Sequence, residues 1–135
     1  SKCMFIFSTG TVVDTTQGAQ ADYFYDVQII PTKGSWFTAP KKLNSAWKNT
    51  KIGKLAVTVT SIDEQIELKD SELTADTLGV AVEKGKIYGF KLADTTYAKI
   101  LVDSIFIHNT AEDSSFVIID WAWQDNKGFR YLAPR

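Results

Sequence analysis

Apolar side chains recur at every second position along much of this chain, a period that strands satisfy and helices do not. In residues 22–30, Tyr23, Tyr25, Val27 and Ile29 share one face, with Asp22, Asp26 and Gln28 opposite and Phe24 out of step. Leu55, Val57 and Val59 alternate with Ala56, Thr58 and Thr60, and Ile66 and Leu68 lie between Gln65, Glu67 and Lys69. Tyr88, Phe90 and Leu92 alternate with Ile87, Gly89 and Lys91. Antiparallel strands with one dry and one wet face are expected from such patterns. Residues 97–108 and 116–124 are apolar on both faces and are predicted as central strands.

The turn residues agree. Asp125-Asn126-Lys127-Gly128 is expected to join residues 117–124 to 129–132 as a hairpin, with Gly128 in the left-handed position of a bulge. Ala93-Asp94-Thr95-Thr96 is expected to reverse the chain between two strands. Helical signal is confined to residues 40–48, where Pro40 suits a first turn and Leu43, Ala46 and Trp47 share a side. Residues 70–79, rich in Ser, Thr and Asp, read as a surface connection with room for one short helical turn. The expectation is an all-β, antiparallel, sandwich-like single domain over residues 1–135, with at most one short helix. A chain of 135 residues, 44% of them hydrophobic, is long enough to fold around its own core. Cys3 is the only cysteine, so no internal disulfide can help, and the apolar run around it makes a buried thiol the simplest role. No apolar run approaches the roughly 20 residues of a membrane-spanning helix. Ser1-Lys2-Cys3 leads straight into apolar sequence without a leader pattern, which fits a cytoplasmic protein or a trimmed mature chain.

Charge is unevenly spread. Residues 27–62 hold Lys33, Lys41, Lys42, Lys48, Lys51 and Lys54, with Trp36 and Trp47 among them, and no carboxylate. The whole chain has 15 bases and 16 acids, so outside those six lysines 9 bases face 16 acids. An anion or an anionic partner would find its place in the basic stretch. Its lysines would pair with acidic groups while Trp36, Phe37 or Trp47 covers an apolar ring. The plainer reading is a solvated lysine-rich loop with its tryptophans in the core. Nucleic acid is excluded as a partner, because the acidic remainder would repel phosphates.

Other chemistry is sparse. Trp121 and Trp123 share a face with Val117 and Ile119, which suits core packing better than a sugar-stacking platform. Asp120 points the other way and would need a partner if buried. His108, the only histidine, is the one candidate metal ligand, and a single histidine with one cysteine cannot build a zinc site. No nucleophile triad, phosphate-cradling glycine loop or paired carboxylate arrangement is present, so no enzyme is expected.

Two groups of segments, taken together, resemble one known family. Phe5-Ile6-Phe7-Ser8-Thr9-Gly10-Thr11-Val12-Val13, followed by Asp22-Tyr23-Phe24-Tyr25-Asp26-Val27, is similar to the opening of the HmuY family of bacterial surface or secreted β proteins, which includes haemophores. Lys86-Ile87-Tyr88, Thr96-Tyr97-Ala98-Lys99-Ile100 and the stretch from Phe116 to Tyr131, with Trp121-Ala122-Trp123-Gln124, resemble its later strands. The resemblance implies an all-β fold, an extracytoplasmic address (secreted, periplasmic or surface-attached, as a lipoprotein for instance) and binding without catalysis. It makes haem the favoured ligand. Haem capture in the family uses paired His or Met ligands, and this chain has only His108 and Met4 to offer. The candidate site, read from the basic stretch and not from the resemblance, is Trp36, Phe37, Lys41, Lys42, Trp47 and Lys48, with His108 for a metal and haem as the cofactor to test. A carbohydrate-binding module and an adhesive surface protein without a small ligand remain as alternatives. An exposed apolar edge would favour the last.

Overall fold

In a computed structural model the chain folds as an antiparallel β-sandwich with an additional outer layer. The structure describes residues 3–14, 27–30, 36–42, 45, 49–106, 116–128 and 131–132. Its strands are β1 (Cys3–Ile6), β2 (Thr11–Asp14), β3 (Val27–Ile30), β4 (Trp36–Thr38), β5 (Lys51–Lys54), β6 (Ile66–Glu67), β7 (Val80–Ala81), β8 (Ile87–Lys91), β9 (Tyr97–Phe106), β10 (Phe116–Gln124) and β11 (Tyr131–Leu132). One sheet runs β2-β1-β3-β4-β7, a second β10-β9-β8-β5, and β11 pairs with β6 in a separate ribbon. All these pairs are antiparallel.

The main core fills the space between the two large sheets. Phe5, Phe7 and Phe37 from one side meet Ile52, Tyr88, Phe90, Ala98, Ile100 and Val102 from the other. Aromatic rings run through it in sequence, Trp121 against Phe5 (5.5 Å between centroids), Phe5 against Phe7 (5.1 Å), Phe7 against Phe90 (5.3 Å) and Phe90 against Phe37 (5.7 Å). Such tilted and edge-on pairs add about 0.5–1.5 kcal/mol each beyond the area they bury.

The period-2 pattern of β8 holds, but its second face is not wet. Ile87 faces a second core with Tyr97, Leu101 and Ala122, covered by Leu55, Ile62, Ile66, Leu68 and Leu73. The four-stranded sheet is thus covered on both sides, which is why β8 and most of β9 are buried residue by residue. A notch admits the covering chain. Gly53 and Gly89 are partners across β5 and β8. A Cβ at Gly53 would run into the Glu72 carbonyl, and one at Gly89 would lie 2.9 Å from Leu73 Cδ2. From there the chain rounds the β5 edge, where Ile52 and Ala75 exchange two backbone hydrogen bonds (2.7 and 3.0 Å), and enters β7.

Several expectations need correction. β10 is the edge of its sheet among the described residues, not a central strand. Its inward row of Val117, Ile119, Trp121 and Trp123 stays in phase with β9 through a register shift at Ile118/Ile119, so Val102 and Ile105 both reach the main core. Residues 55–60 alternate as a strand should, yet beyond the Leu55 N–H bond to the Ile87 carbonyl (2.9 Å) they enter no strand pairing and form no strand. Gly128 does adopt a positive φ of 76°, but β11 pairs with β6, and among the described residues no pair joins it to β10. The helical signal of 40–48 yields a 3-10 turn at Pro40–Lys42; residues 43, 44 and 46–48 lie outside the described residues, as do 22–26, 107–108 and 129–130. A second 3-10 turn, Asp70–Glu72, falls in the predicted surface connection. The reversal at 93–96 joins β8 to β9, with Thr95 at φ 68°.

Candidate functional site

The basic stretch does not stay basic once folded. Lys51 and Lys54 flank the buried Ile52 and Gly53 at the two ends of β5. Lys51 Nζ reaches Asp76 at 2.8 Å and Lys54 Nζ reaches Glu83 at 2.8 Å. Lys51 and the Thr77 backbone N–H hold the Asp76 carboxyl down to about 2, and the Lys54 hydrogen bond and charge lower that of Glu83. Both acids come from a distant part of the chain, and each cancels a lysine counted toward an anion site.

Lys41 and Lys42 differ. They project from the Pro40–Lys42 turn, whose root at Thr38, Ala39 and Pro40 is buried. Both are exposed, and neither has an ion-pair partner among the described residues. The turn is braced by its neighbour. Ala39 N–H donates to the Asp76 carbonyl at 3.0 Å, and Gly79 sits at φ 72° where a Cβ would strike the Phe37 carbonyl. Leu78, between them, is 85% exposed, more than any other large apolar residue described. The two joined turns therefore present two ammonium groups and one projecting leucine. Leu78 was missed in the sequence; its signal was a leucine next to the glycine that ends a Ser/Thr/Asp-rich connection.

The other candidates fall out differently. Phe37 is completely buried, edge-on to Tyr88 at 5.2 Å, so it has no face left for a ligand and leaves the candidate list. It points inward because its neighbours Trp36 and Thr38 occupy the alternate positions of β4. Trp36 is placed by its backbone, opposite Ala81 of β7. Trp47, Lys48 and His108 lie outside the described residues. Trp121 and Trp123 are half-buried against the main core, and Trp123 Nε1 donates to Thr96 Oγ1 at 3.0 Å. Asp120 is exposed, and no partner is required of it.

A cleft of about 380 Å³ opens on the outer layer between residues 57–59 and β6. Glu64, Glu67, Glu72 and Lys69 line it. Among the described residues no group of three or more His, Cys, Asp or Glu side chains could hold a metal ion. No described helix is long and apolar enough to cross a membrane. No protein-family model, curated protein or solved structure matches the chain.

Proposed function

We propose that this chain is a non-catalytic binding module that takes an amphipathic anion, an apolar body bearing carboxylates, at the joined turns carrying Lys41, Lys42 and Leu78. The observation that carries the proposal is the contrast within one basic stretch. Lys51 and Lys54 are neutralised by carboxylates, whereas Lys41 and Lys42 are left unpaired on a braced turn beside an exposed leucine. Exposed ammonium groups hold carboxylates weakly one at a time, and a pair with an apolar neighbour gains from both charge and burial. Trp47 and Lys48 follow the same turn in sequence and stay in the proposal, as does Trp36.

The resemblance to HmuY-like proteins supports a binding role at an extracytoplasmic address, and it makes haem, a flat apolar ring with two propionates, the first ligand to try. The reading assigns no iron ligand, since His108 lies outside the described residues and Met4 is placed only by its β1 backbone.

Haem titration of the purified protein, read by the Soret band and tryptophan quenching together, tests this. Saturable binding that weakens above ~0.1 M salt is expected, with a loss of tenfold or more in the Lys41→Glu/Lys42→Glu double variant. Unchanged binding in that variant would move the site elsewhere. A featureless titration followed by saturable, salt-insensitive glycan binding would replace the proposal with a carbohydrate-binding reading.

A further inference from the structure

Strand β10 is the longest sheet edge among the described residues, and the direction of its main chain can be worked out from its neighbour. Val102 of β9 donates its N–H to the Lys86 carbonyl at 3.1 Å and accepts from the Gly85 N–H at 2.8 Å, so both of its backbone groups point away from β10. Its antiparallel partner on β10 is Ile119, and the two residues of such a pair turn their backbone groups to opposite sides. Ile119 therefore directs its N–H and C=O to the edge. Val117, two residues earlier, does the same, because the extra residue at the register shift, Asp103, belongs to β9. Exposure agrees with this. Residues 117–120 are each half-buried or exposed, whereas residues 97–102 of β9 are buried throughout.

The edge lacks the residues that usually guard one. β10 has no lysine, arginine, proline or glycine, and Asp120 is its one charge. Ile118, turned away from the main core, is 46% exposed, and Phe106, across from the start of β10, is 47% exposed. The outer layer stops short of both, since its core takes in Tyr97, Leu101 and Ala122. The far edge of the same sheet is closed, because the Ile52–Ala75 bridge seats the outer chain on β5. With one edge open and the other closed, self-pairing ends at two copies instead of running on as a filament.

We propose that β10 is the interface of a homodimer, in which two copies pair β10 with β10 antiparallel about a two-fold axis at Ile118 and double the width of the four-stranded sheet. In this register Val117 of each copy pairs with Ile119 of the other through their outward main-chain groups. Ile118 meets Ile118 of the second copy in the closer, non-hydrogen-bonded geometry, which covers the most exposed apolar side chain of β10. Asp120 falls opposite Phe116, whereas an axis at Asp120 would set two carboxylates face to face. The strand thus complements a second copy of itself without a like-charge pair. This edge lies across the sheet from β5, where Lys51 joins Asp76 of the turns carrying Lys41, Lys42 and Leu78.

Sedimentation equilibrium of the full chain over a concentration series tests this. A reversible monomer–dimer equilibrium is expected. Ile118→Lys, folded as judged by circular dichroism, sets two ammonium groups on the axis and should weaken the dimer about tenfold or more. The register has its own readout. In a folded Cys3→Ser background, Ile118→Cys should give a disulfide-linked dimer on mild oxidation, because a non-hydrogen-bonded pair holds its Cα atoms about 4.5 Å apart. Gln124→Cys in the same background should not cross-link. A monomer at every concentration would overturn the proposal. So would a dimer that tolerates Ile118→Lys, cross-linking at 124 and not at 118, or growth beyond dimers through this edge.

Discussion

Lys99 lies wholly inside the molecule, and its ammonium donates to the backbone carbonyl of Glu64 at 2.7 Å. It occupies the outer face of β9 between Tyr97 and Leu101, both members of the second core. The bond ties the middle of the sheet to the turn that holds one end of the acidic cleft. Burial pushes the Lys99 pKa below its ordinary value, and the charges of Asp63 and Glu64 pull partly against that.

Replacing Lys99 by methionine should change stability at neutral pH by no more than about 1 kcal/mol. The hydrogen bond to a charged donor is lost, but so is the penalty for burying the charge. The pH dependence is the sharper readout. An unfolded lysine titrates near 10.5 and the folded one below that, so in this window the unfolded chain holds more protons and wild-type stability rises with pH. Urea unfolding at pH 7 and pH 10 should show wild type gaining on Lys99→Met; parallel behaviour would mean that the buried ammonium carries no such penalty.

Asp76 acts in the opposite direction. Its carboxyl, at about 2, is depressed from 3.8, so its contribution is present above pH 3.8 and is lost as pH falls through about 2. Asp76→Asn should lower stability at neutral pH by up to about 1 kcal/mol, since Lys51 and Asp76 are both partly exposed and solvent screens the pair. Acid unfolding monitored by fluorescence should be less steep below pH 3.8 in the variant than in wild type.

Tyr88 is buried with both functions of its hydroxyl used. The O–H donates to the Ala81 carbonyl at 2.7 Å and accepts from Glu83 N–H at 2.8 Å, linking β8 to the end of β7. Tyr88→Phe should cost about 1–3 kcal/mol, with an unchanged urea m-value. Burial raises the phenol to about 12, so wild type should lose this contribution as pH rises from 10 through about 12, and the phenylalanine variant should not.

Thr95 holds φ 68° in the turn between β8 and β9, while its carbonyl accepts from Gly128 N–H at 2.9 Å. Thr95→Gly keeps that bond and removes the backbone cost of a β-branched residue in the left-handed region. A gain of up to about 1 kcal/mol in thermal or urea unfolding is expected. A loss would show that the threonine side chain, which donates to the Asp94 carbonyl, outweighs the strain.

The all-β architecture could be read from the chain because alternation reports which face of a strand is dry. It does not report what lies beside the strand. That limit explains residues 55–60, whose pattern is that of a strand although they join no sheet, and β11, whose partner β6 is far away in sequence. It also explains β8, where Ile87 and Gly89 gave no hint that an outer layer would cover them. The candidate site was legible only where charge stayed local. Lys41 and Lys42 stay exposed with no ion-pair partner among the described residues, whereas Lys51 and Lys54 met acids brought across by folding. Phe37 was misplaced because an aromatic residue beside lysines looks the same in sequence whether its strand turns it in or out.

The facing pair Gly53 and Gly89 gives the molecule an address system made of absences. A layer positioned by apolar attraction alone could slip by a residue and find comparable neighbours, because leucines are interchangeable at that resolution. A layer lowered into a notch has one place to go. The height and angle at which the outer layer sits on the sandwich are therefore set by two positions where nothing protrudes. A single methyl group at 53 would displace the outer layer without altering any residue of that layer.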